Sequence, residues 1–375
     1  MAGKFRTFIV KLLIIANFIL AFLFLLACLA PYLDPVKWWF ISWLGFIFPF
    51  LLFLVIVSVC LWVFVKPKFA VLFLVVLLLG WKSISVFFSF HLGHEFKNEK
   101  QAGTIRIISW NVARFVEIMK NNNEGSRTRL KMFEQLKEQN ADIICMQEFY
   151  SSSLPRYYDN ISFIQKNLGY PYYYFDFQED GEKQYFSSVI FSRWPIIDSS
   201  ITIYPRPSSA EALLHADIKF NDDTIRVFTT HLQSVHFQKS DYERIDEIKN
   251  YDEGFVSNSK TIFSKLRKGF MKRSLQANTI KEQIAQSNHP LVFCGDFNDI
   301  PNSYTYFTVR GKLRDAFLEK GSGIGRTFNS ISPTLRIDYI LPSKEFEVLQ
   351  FKRTVRDLSD HYMLVADLKV SDHRQ

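Results

Sequence analysis

Hydrophobic positions are distributed in two different ways along this chain. Up to about residue 90 they form three nearly uninterrupted runs, Leu12 to Leu33, Trp39 to Val65 and Phe69 to Phe90. The runs are parted by Asp34-Pro35-Val36-Lys37 and Lys66-Pro67-Lys68, where proline ends a helix and lysine suits the headgroup level. Each run has about the 20 apolar residues that a bilayer-spanning helix needs, so three transmembrane helices are expected, the third weakened by Lys82. Five of the seven tryptophans (Trp38, Trp39, Trp43, Trp62, Trp81) fall here, most near the predicted ends. A second reading takes the start as a signal peptide, with Leu25-Leu26-Ala27-Cys28 resembling a bacterial lipoprotein cleavage site.

Beyond a polar linker at 94–103 the apolar runs shorten and begin to alternate. Thr104 to Asn111 and Ala141 to Glu148 are β-branched or apolar strands, and Arg127 to Asn140 has the helical spacing Leu130, Phe133, Leu136. Ala216, Ile218 and Phe220 alternate into the turn Asn221-Asp222-Asp223, and Thr224 to His231 returns as the other arm of a hairpin. Later strands are read at Leu291 to Gly295, Arg336 to Leu341 and Tyr362 to Val370. The division expected is a membrane anchor over 1–100 and one α/β domain over 101–375.

Charge follows the same division. The chain carries +8, but residues 1–100 hold nine basic and three acidic groups, leaving only +2 on the remainder. High overall basicity is therefore no argument for nucleic-acid binding by the second part. Lys4, Arg6 and Lys11 before the first run, with Lys66 and Lys68 after the second, favour a cytoplasmic N-terminus, which with three spans places the following domain outside the cytoplasm of a bacterial-type inner or plasma membrane. Four cysteines make no disulfide scaffold, and Cys145 and Cys294, inside apolar strands, read as core residues.

Several strands end in polar residues. Asn111, Glu148, His231, Asp296 with Asn298, and Asp360-His361 all stand at such ends, with Asp338 just inside another strand. Singly each has a structural explanation: Asn111 could cap a turn, Glu148 a helix, and His231 could be a satisfied, half-buried histidine. Together, carboxylates, amides and imidazoles at strand ends suit a hard divalent cation and a proton-transfer pair.

The ordered segments ISWN, ICMQE, FSRWPI, TTHL, FCGDFND, RIDYIL and SDHYML, spread over about 104–370, resemble the endonuclease/exonuclease/phosphatase superfamily of deoxyribonuclease-like folds. The resemblance implies a four-layered α/β sandwich, two packed sheets flanked by helices. It also implies hydrolysis of phosphate esters, usually with Mg2+, with Mn2+ as the alternative ion. Carried over by motif, Glu148 is the main metal ligand, with Asn111 beside it and Asp360 a further metal-side carboxylate. Asp296 activates the attacking water, Asn298 donates to a phosphate oxygen, Asp338 holds His361 against the scissile phosphate, and His231 is a phosphate contact or leaving-group acid. Ala113 stands where some nucleases of the family carry aspartate, which removes one support for a second metal. TTHL resembles the deoxyribonuclease and sphingomyelinase-like branches more than the abasic-site repair enzymes.

Two further segments bear on substrate. Lys260 to Arg273 sets Ile262, Phe263, Leu266 and Phe270 opposite five basic residues, which reads as an amphipathic helix packed on the domain or as a contact for anionic headgroups. Tyr170 to Phe177 is an aromatic run, read as strand packing before base or sugar stacking, and Arg193 reads as structural. The function expected is a membrane-anchored, metal-dependent phosphodiesterase or phosphatase acting on a phospholipid headgroup or similar ester, with an extracytoplasmic nuclease as the alternative. The partners implied are the lipid bilayer and the ester substrate, and no protein partner. A silent phosphate-binding membrane receptor would have lost a catalytic position, and none of the expected ones is missing.

Overall fold

Proline and glycine decide how the apolar N-terminal stretch is cut into helices. The computed structural model describes residues 2–91, 95–179, 181–208, 211–235 and 255–371. Helix α1 (Ala2–Ala27) is followed by α2 (Pro35–Phe46), which Asp34 caps by accepting the Val36 N–H, with proline in the first turn. The run expected to be one span from Trp39 to Val65 breaks at Ile47, because Pro49 cannot continue a helix and instead starts α3 (Phe48–Val65). Next come α4 (Pro67–Leu79) and, after Gly80, the short α5 (Trp81–Ser85).

Among the described residues two helical stretches, not the three expected, are long and apolar enough to cross a membrane: Thr7–Ala27 with 21 residues and Phe48–Val65 with 18, each of mean hydropathy 2.8. The third run yields a helix of 13 residues, about 20 Å at 1.5 Å per residue. The break falls at Gly80, just ahead of the charged Lys82.

The chain folds as two compact units. The first contains residues 1–87 together with the described parts of 238–274 and with 300–308. Inside it, Phe48 stacks on both Phe24 and Phe87 with ring centroids 5.3 Å apart, and Gly80 lies so close to Phe24 that a Cβ would sit 2.6 Å from its ring. By Phe87 the chain has thus returned to the level of the C-terminal end of α1. The long helix α8 (Phe255–Ala285) places its N-terminal half here. Phe263 stacks on Trp43 at 4.1 Å and 6°, Phe270 meets Trp43 edge-on, and Arg267 lies over the Trp39 ring. The apolar side of this amphipathic helix, read as packing on the domain or as a contact for anionic headgroups, packs on α2, whose tryptophans offer a broad aromatic surface. Asn302 donates to the Ala27 carbonyl and the Ser274 hydroxyl to Asp34, fastening the later segments to the end of α1.

The second unit is built on two sheets. The first orders β12 (Phe346–Thr354), β13 (Met363–Val370), β2 (Thr104–Asn111), β3 (Ile143–Ser152), β5 (Gln184–Ser192) and β4 (Tyr172–Phe175). The second orders β11 (Asp338–Pro342), β9 (Leu291–Asp296), β8 (Asp223–His231), β7 (Leu213–Phe220) and β6 (Ile196–Thr202). A two-stranded ribbon pairs β1 (Ser89–Phe90) with β10 (Ser322–Gly323). Between the sheets, Ile105, Ile107, Ile143 and Ile190 meet Leu214, Ala216, Val227 and Val292, all fully or nearly fully buried, as the period-2 pattern of both sets requires. Cys145 and Cys294 are free thiols in this layer.

Helices α6 (Thr128–Gln139) and α7 (Asn160–Leu168) cover the outer face of the first sheet through Met132, Phe133, Leu136, Ile161 and Ile164. The C-terminal half of α8, with Ala277 and Ile280 fully buried, belongs to the same unit. Arg193 joins this layer, bonding Asn140 and lying over Tyr170, and the aromatic run at 172–175 is strand β4.

One ion pair ties the first sheet together. Arg106 on β2 is fully buried, paired with Asp367 on β13 by two hydrogen bonds of 2.7 and 2.8 Å, and its remaining donors reach the carbonyls of Lys97, Asn98 and Gln139. Arg106→Met is expected to cost about 3–5 kcal/mol, because it leaves Asp367 charged and buried. Urea unfolding checks this, and a loss below about 1 kcal/mol would contradict it.

Candidate active site

The strand order itself assembles the site. Each sheet contains one parallel pair, β2 with β3 and β8 with β9, so the C-terminal ends of four strands point to one end of the sandwich. Asn111, His231 and Asp296 stand at such ends, whereas Glu148, expected to end its strand, lies at a break in β3, which continues to Ser152. The antiparallel neighbours begin where the parallel strands finish: Asp338 is paired with Asp296, and His361 stands just before β13, whose Leu364 pairs with Ser109. Residues scattered over about 250 positions therefore meet.

Local irregularities aim the side chains. The β3 register slips between Met146 and Phe149, and Glu148 has φ +50°, so a bulge swings its half-buried carboxylate toward the site. Asn298 has the same φ, with its N–H donating to Asp296 Oδ1 at 2.8 Å. The Trp110 indole donates to the His361 carbonyl and the Ser359 hydroxyl to the Asn111 carbonyl, locking the histidine segment to β2. Thr327 Oγ1 accepts the N–H groups of Ile337 and Asp338.

Asp296 is the centre. Its Oδ2 accepts from Asn111 Nδ2 at 3.1 Å and lies 3.6 Å from the Nε2 of both His231 and His361. Asn111 Nδ2 also reaches Glu148 Oε1 at 3.2 Å, which lies 3.8 Å from His231 Nε2. Each imidazole is held from behind through Nδ1: His361 by Asp338 at 3.0 Å and His231 by Glu211 at 3.0 Å. Glu211 is not among the residues expected from the sequence. Its other oxygen accepts the Ser188 hydroxyl at 2.5 Å.

Two expected residues behave differently. Asp360 has an exposed carboxylate that accepts from the Ser359 hydroxyl; it adds to the negative field on His361 and is not among the hydrogen-bonded partners of Glu148 or Asp296. The amide of Asn298 donates to the Leu232 carbonyl at 3.0 Å, leaving one of its two N–H bonds for another acceptor.

The electrostatics follow from this crowding. Burial would discharge both imidazoles, but Glu211 with Asp296 outweighs it at His231 and Asp338 with Asp296 at His361, raising each from 6.5 to about 10. Burial, reinforced by Asp338, raises the Asp296 carboxyl against the opposing pull of the two histidines. A raised histidine stabilises the fold fully below its unfolded pKa and ceases to do so as pH climbs through the folded one. Metal-free protein in EDTA is therefore expected to melt at steadily lower temperature from about pH 6.5 to about pH 10. A flat profile in differential scanning calorimetry would contradict protonated imidazoles.

The donor set also fits a hard cation. Asp296, Asp338 and His361 each offer a ligand atom within 4.8 Å of one another. Both oxygens of Asp338 are already engaged by His361 Nδ1, however, so the less committed oxygens are those of Glu148 and Asp296. An oxygen-rich site with amide support suits Mg2+ or Mn2+ better than a thiolate or imidazole-seeking metal.

Residues 108–373 match the model of the Endonuclease/Exonuclease/phosphatase family. The chain belongs to that family. It is accordingly a phosphoric ester hydrolase of a divalent-metal-dependent family. Residues 10–87 match a second model, a domain of unknown function. Among solved structures, an endonuclease/exonuclease/phosphatase from Beutenbergia cavernae aligns with TM-score 0.50 and 17% identity over 72% of each chain. A family member from Bacteroides vulgatus aligns at 0.49 and 17% over 72% of this chain and 99% of its own. The human Nocturnin catalytic domain with bound sulfate aligns at 0.48 and 17%, over 73% and 97%. No curated protein matches the chain.

Proposed function

We propose that this member of the family is a membrane-anchored, Mg2+-dependent phosphodiesterase or phosphatase in which water attacks phosphorus. The observation that carries the reading is the convergence of Asn111, His231 and His361 on one oxygen of the fully buried Asp296. Mg2+, held by Glu148 with Asn111 adjoining, would neutralise charge on the ester oxygens. Everything else is done by the chain. Asp296 orients the attacking water and takes its proton, a role suited to a carboxylate whose pKa is raised. His361, kept protonated by Asp338, donates to a non-bridging oxygen, and His231, kept protonated by Glu211, donates to the oxygen that leaves. Asn298 adds a neutral donor.

The anchor is the N-terminal unit. In the proposed arrangement Lys4, Arg6, Lys11, Lys66 and Lys68 lie on the cytoplasmic side. Helix α2 and the 255–274 segment then lie at the opposite interface, since the chain comes back to the end of α1 by Phe87. Their tryptophans and basic residues suit that position, and the phosphoesterase is extracytoplasmic.

The test is a turnover screen of the full chain in detergent, with Mg2+ or Mn2+, on plasmid DNA, RNA, nucleotides, inositol phosphates and phospholipids. Truncation to 101–375 is unsuitable because it would bare Phe263 and Phe270. Product from a phospholipid or another small ester is the expected result. Product from nucleic acid alone would select the nuclease alternative, and none from any ester would refute the reading. Protease protection in spheroplasts reads the sidedness.

A further inference from the structure

A second cluster of cations lines a cavity that shares no lining residue with the site just described. The cavity, of about 370 Å³, is lined by Lys320, Lys352 and Arg353, with His91, and Glu95 is the one carboxylate among its lining residues. Lys352 and Arg353 come from β12, the edge strand of the first sheet. Lys320 opens the run Lys320-Gly321-Ser322-Gly323-Ile324-Gly325-Arg326, part of which forms the cavity wall.

Comparison with other cations of this unit shows what is unusual. Arg106 is paired with Asp367, Arg226 with Asp217, Arg336 with Asp315 and Lys100 with Asp142. Among the described residues, no carboxylate lies within ion-pair distance of Lys320, Lys352 or Arg353. Lys352 Nζ instead sits 4.2 Å from the Phe96 ring centroid, and the Arg353 guanidinium donates to the Arg326 carbonyl and lies 5.5 Å from the Tyr362 ring. Burial lowers the pKa of both side chains, which is the signature of positive charge held without enough compensation. Three cations lining one cavity, Lys352 from the outer face of the edge strand β12 and Arg353 from the inner, leave a place for an anion.

The glycines give that anion a shape. Gly321 and Gly325 are wedged against the Phe317 ring, where a Cβ at Gly325 would come within 2.5 Å of ring carbons. Gly323 and Gly325 have φ of +76° and +71°, and a Cβ on Gly323 would meet nothing within 4 Å. A loop in which three of the five residues 321–325 are glycine, beside lysine and arginine, lets a tetrahedral oxyanion come close to the main chain. Arginine adds planar, two-pronged recognition of phosphate oxygens, and lysine adds point charge.

We propose that the cavity bounded by Lys320, the 321–325 loop, Lys352 and Arg353 binds a phosphate group, at a site separate from the catalytic one. The same chemistry is offered by soluble phosphate and by the headgroup of an anionic phospholipid. The inference does not depend on the reaction assigned to Asp296, and its test does not read turnover.

The full chain is labelled with an amine-reactive reagent and the rate at each lysine is followed by mass spectrometry. One arm uses neutral detergent with inorganic phosphate, against chloride at equal ionic strength. The other uses phosphatidylglycerol nanodiscs against phosphatidylcholine nanodiscs, without phosphate. Occupancy is expected to slow labelling of Lys320 and Lys352 about ten-fold, the worth of one charge-assisted hydrogen bond, while exposed Lys344 is unchanged. Protection in the first arm identifies a soluble phosphate, and in the second alone a lipid headgroup; both support the site. Arg353→Gln is expected to abolish protection at both lysines, and Lys320→Gln to abolish it at Lys352. No protection in either arm, equal protection by chloride, or full protection in both variants would overturn the proposal.

Discussion

Asp296→Asn is expected to lower kcat by about 10²–10⁴-fold while leaving the protein folded. The two halves of that result have one cause. The carboxylate is fully buried and its pKa is raised, so ionisation at neutral pH costs the fold free energy. An asparagine of the same shape removes the charge and keeps the acceptor for the Asn298 N–H at 2.8 Å, at the cost of setting its own N–H groups against Asn111 Nδ2. What is lost is the acceptor aimed between two protonated imidazoles, each 3.6 Å away, where an attacking water would be oriented. Residues retained for chemistry at the expense of stability behave in this way. Calorimetry and steady-state kinetics on one preparation decide it. Wild-type turnover in Asp296→Asn would remove this carboxylate from the mechanism, and a large fall in melting temperature would mean that its role is structural.

Much of this site is legible in the sequence because its residues end strands whose apolar pattern is strong. Asn111, His231 and Asp296 each close a strand of buried apolar residues, whereas Glu148 stands at the bulge inside β3 and His361 just before β13, and the two sheets bring these positions together. Glu211 is not legible in that way, because it precedes its strand with no motif around it. Yet the hairpin turn at Asn221-Asp222 fixes a register in which Leu214 faces Thr229. Continued two residues, that register puts His231 opposite Ala212 and beside Glu211. The signal lies in pairing arithmetic, not in residue type.

The N-terminal helices depart from their hydropathy pattern for a related reason. Hydropathy counts apolar residues without weighing what Pro49 and Gly80 do to helix continuity, so two of the three runs read as unbroken when they are not. The partner of the 260–273 face is not legible either, since any broad apolar surface could have covered Phe263 and Phe270, and the tryptophans that do so lie more than 200 positions earlier.

Glu148→Ala is expected to reduce turnover at a fixed, sub-saturating Mg2+ concentration by roughly 10³-fold, the equivalent of the several kcal/mol attributed to a catalytic cation. The structural cost should be small. The carboxylate is 31% exposed, and Asn111 Nδ2, which it accepts from at 3.2 Å, keeps Asp296 as its other acceptor at 3.1 Å. Metal loss and lost hydrogen bonding are separated by Glu148→Gln, which retains an acceptor for Asn111 but carries no charge. If Glu148 holds the cation, both variants shift the Mg2+ activation curve to higher concentration, and both shift the midpoint of Mn2+ binding followed by electron paramagnetic resonance. If its work is to position Asn111, Glu148→Gln retains most activity and its Mn2+ binding is unchanged. The second outcome would move the cation toward Asp296, Asp338 and His361, where the only other compact donor group among the described residues is found. His361 would then have to give up its Nε2 proton while Nδ1 stays bonded to Asp338, so metal binding would lower the pH at which that imidazole loses its proton, an effect that nuclear magnetic resonance of the histidine ring reads directly.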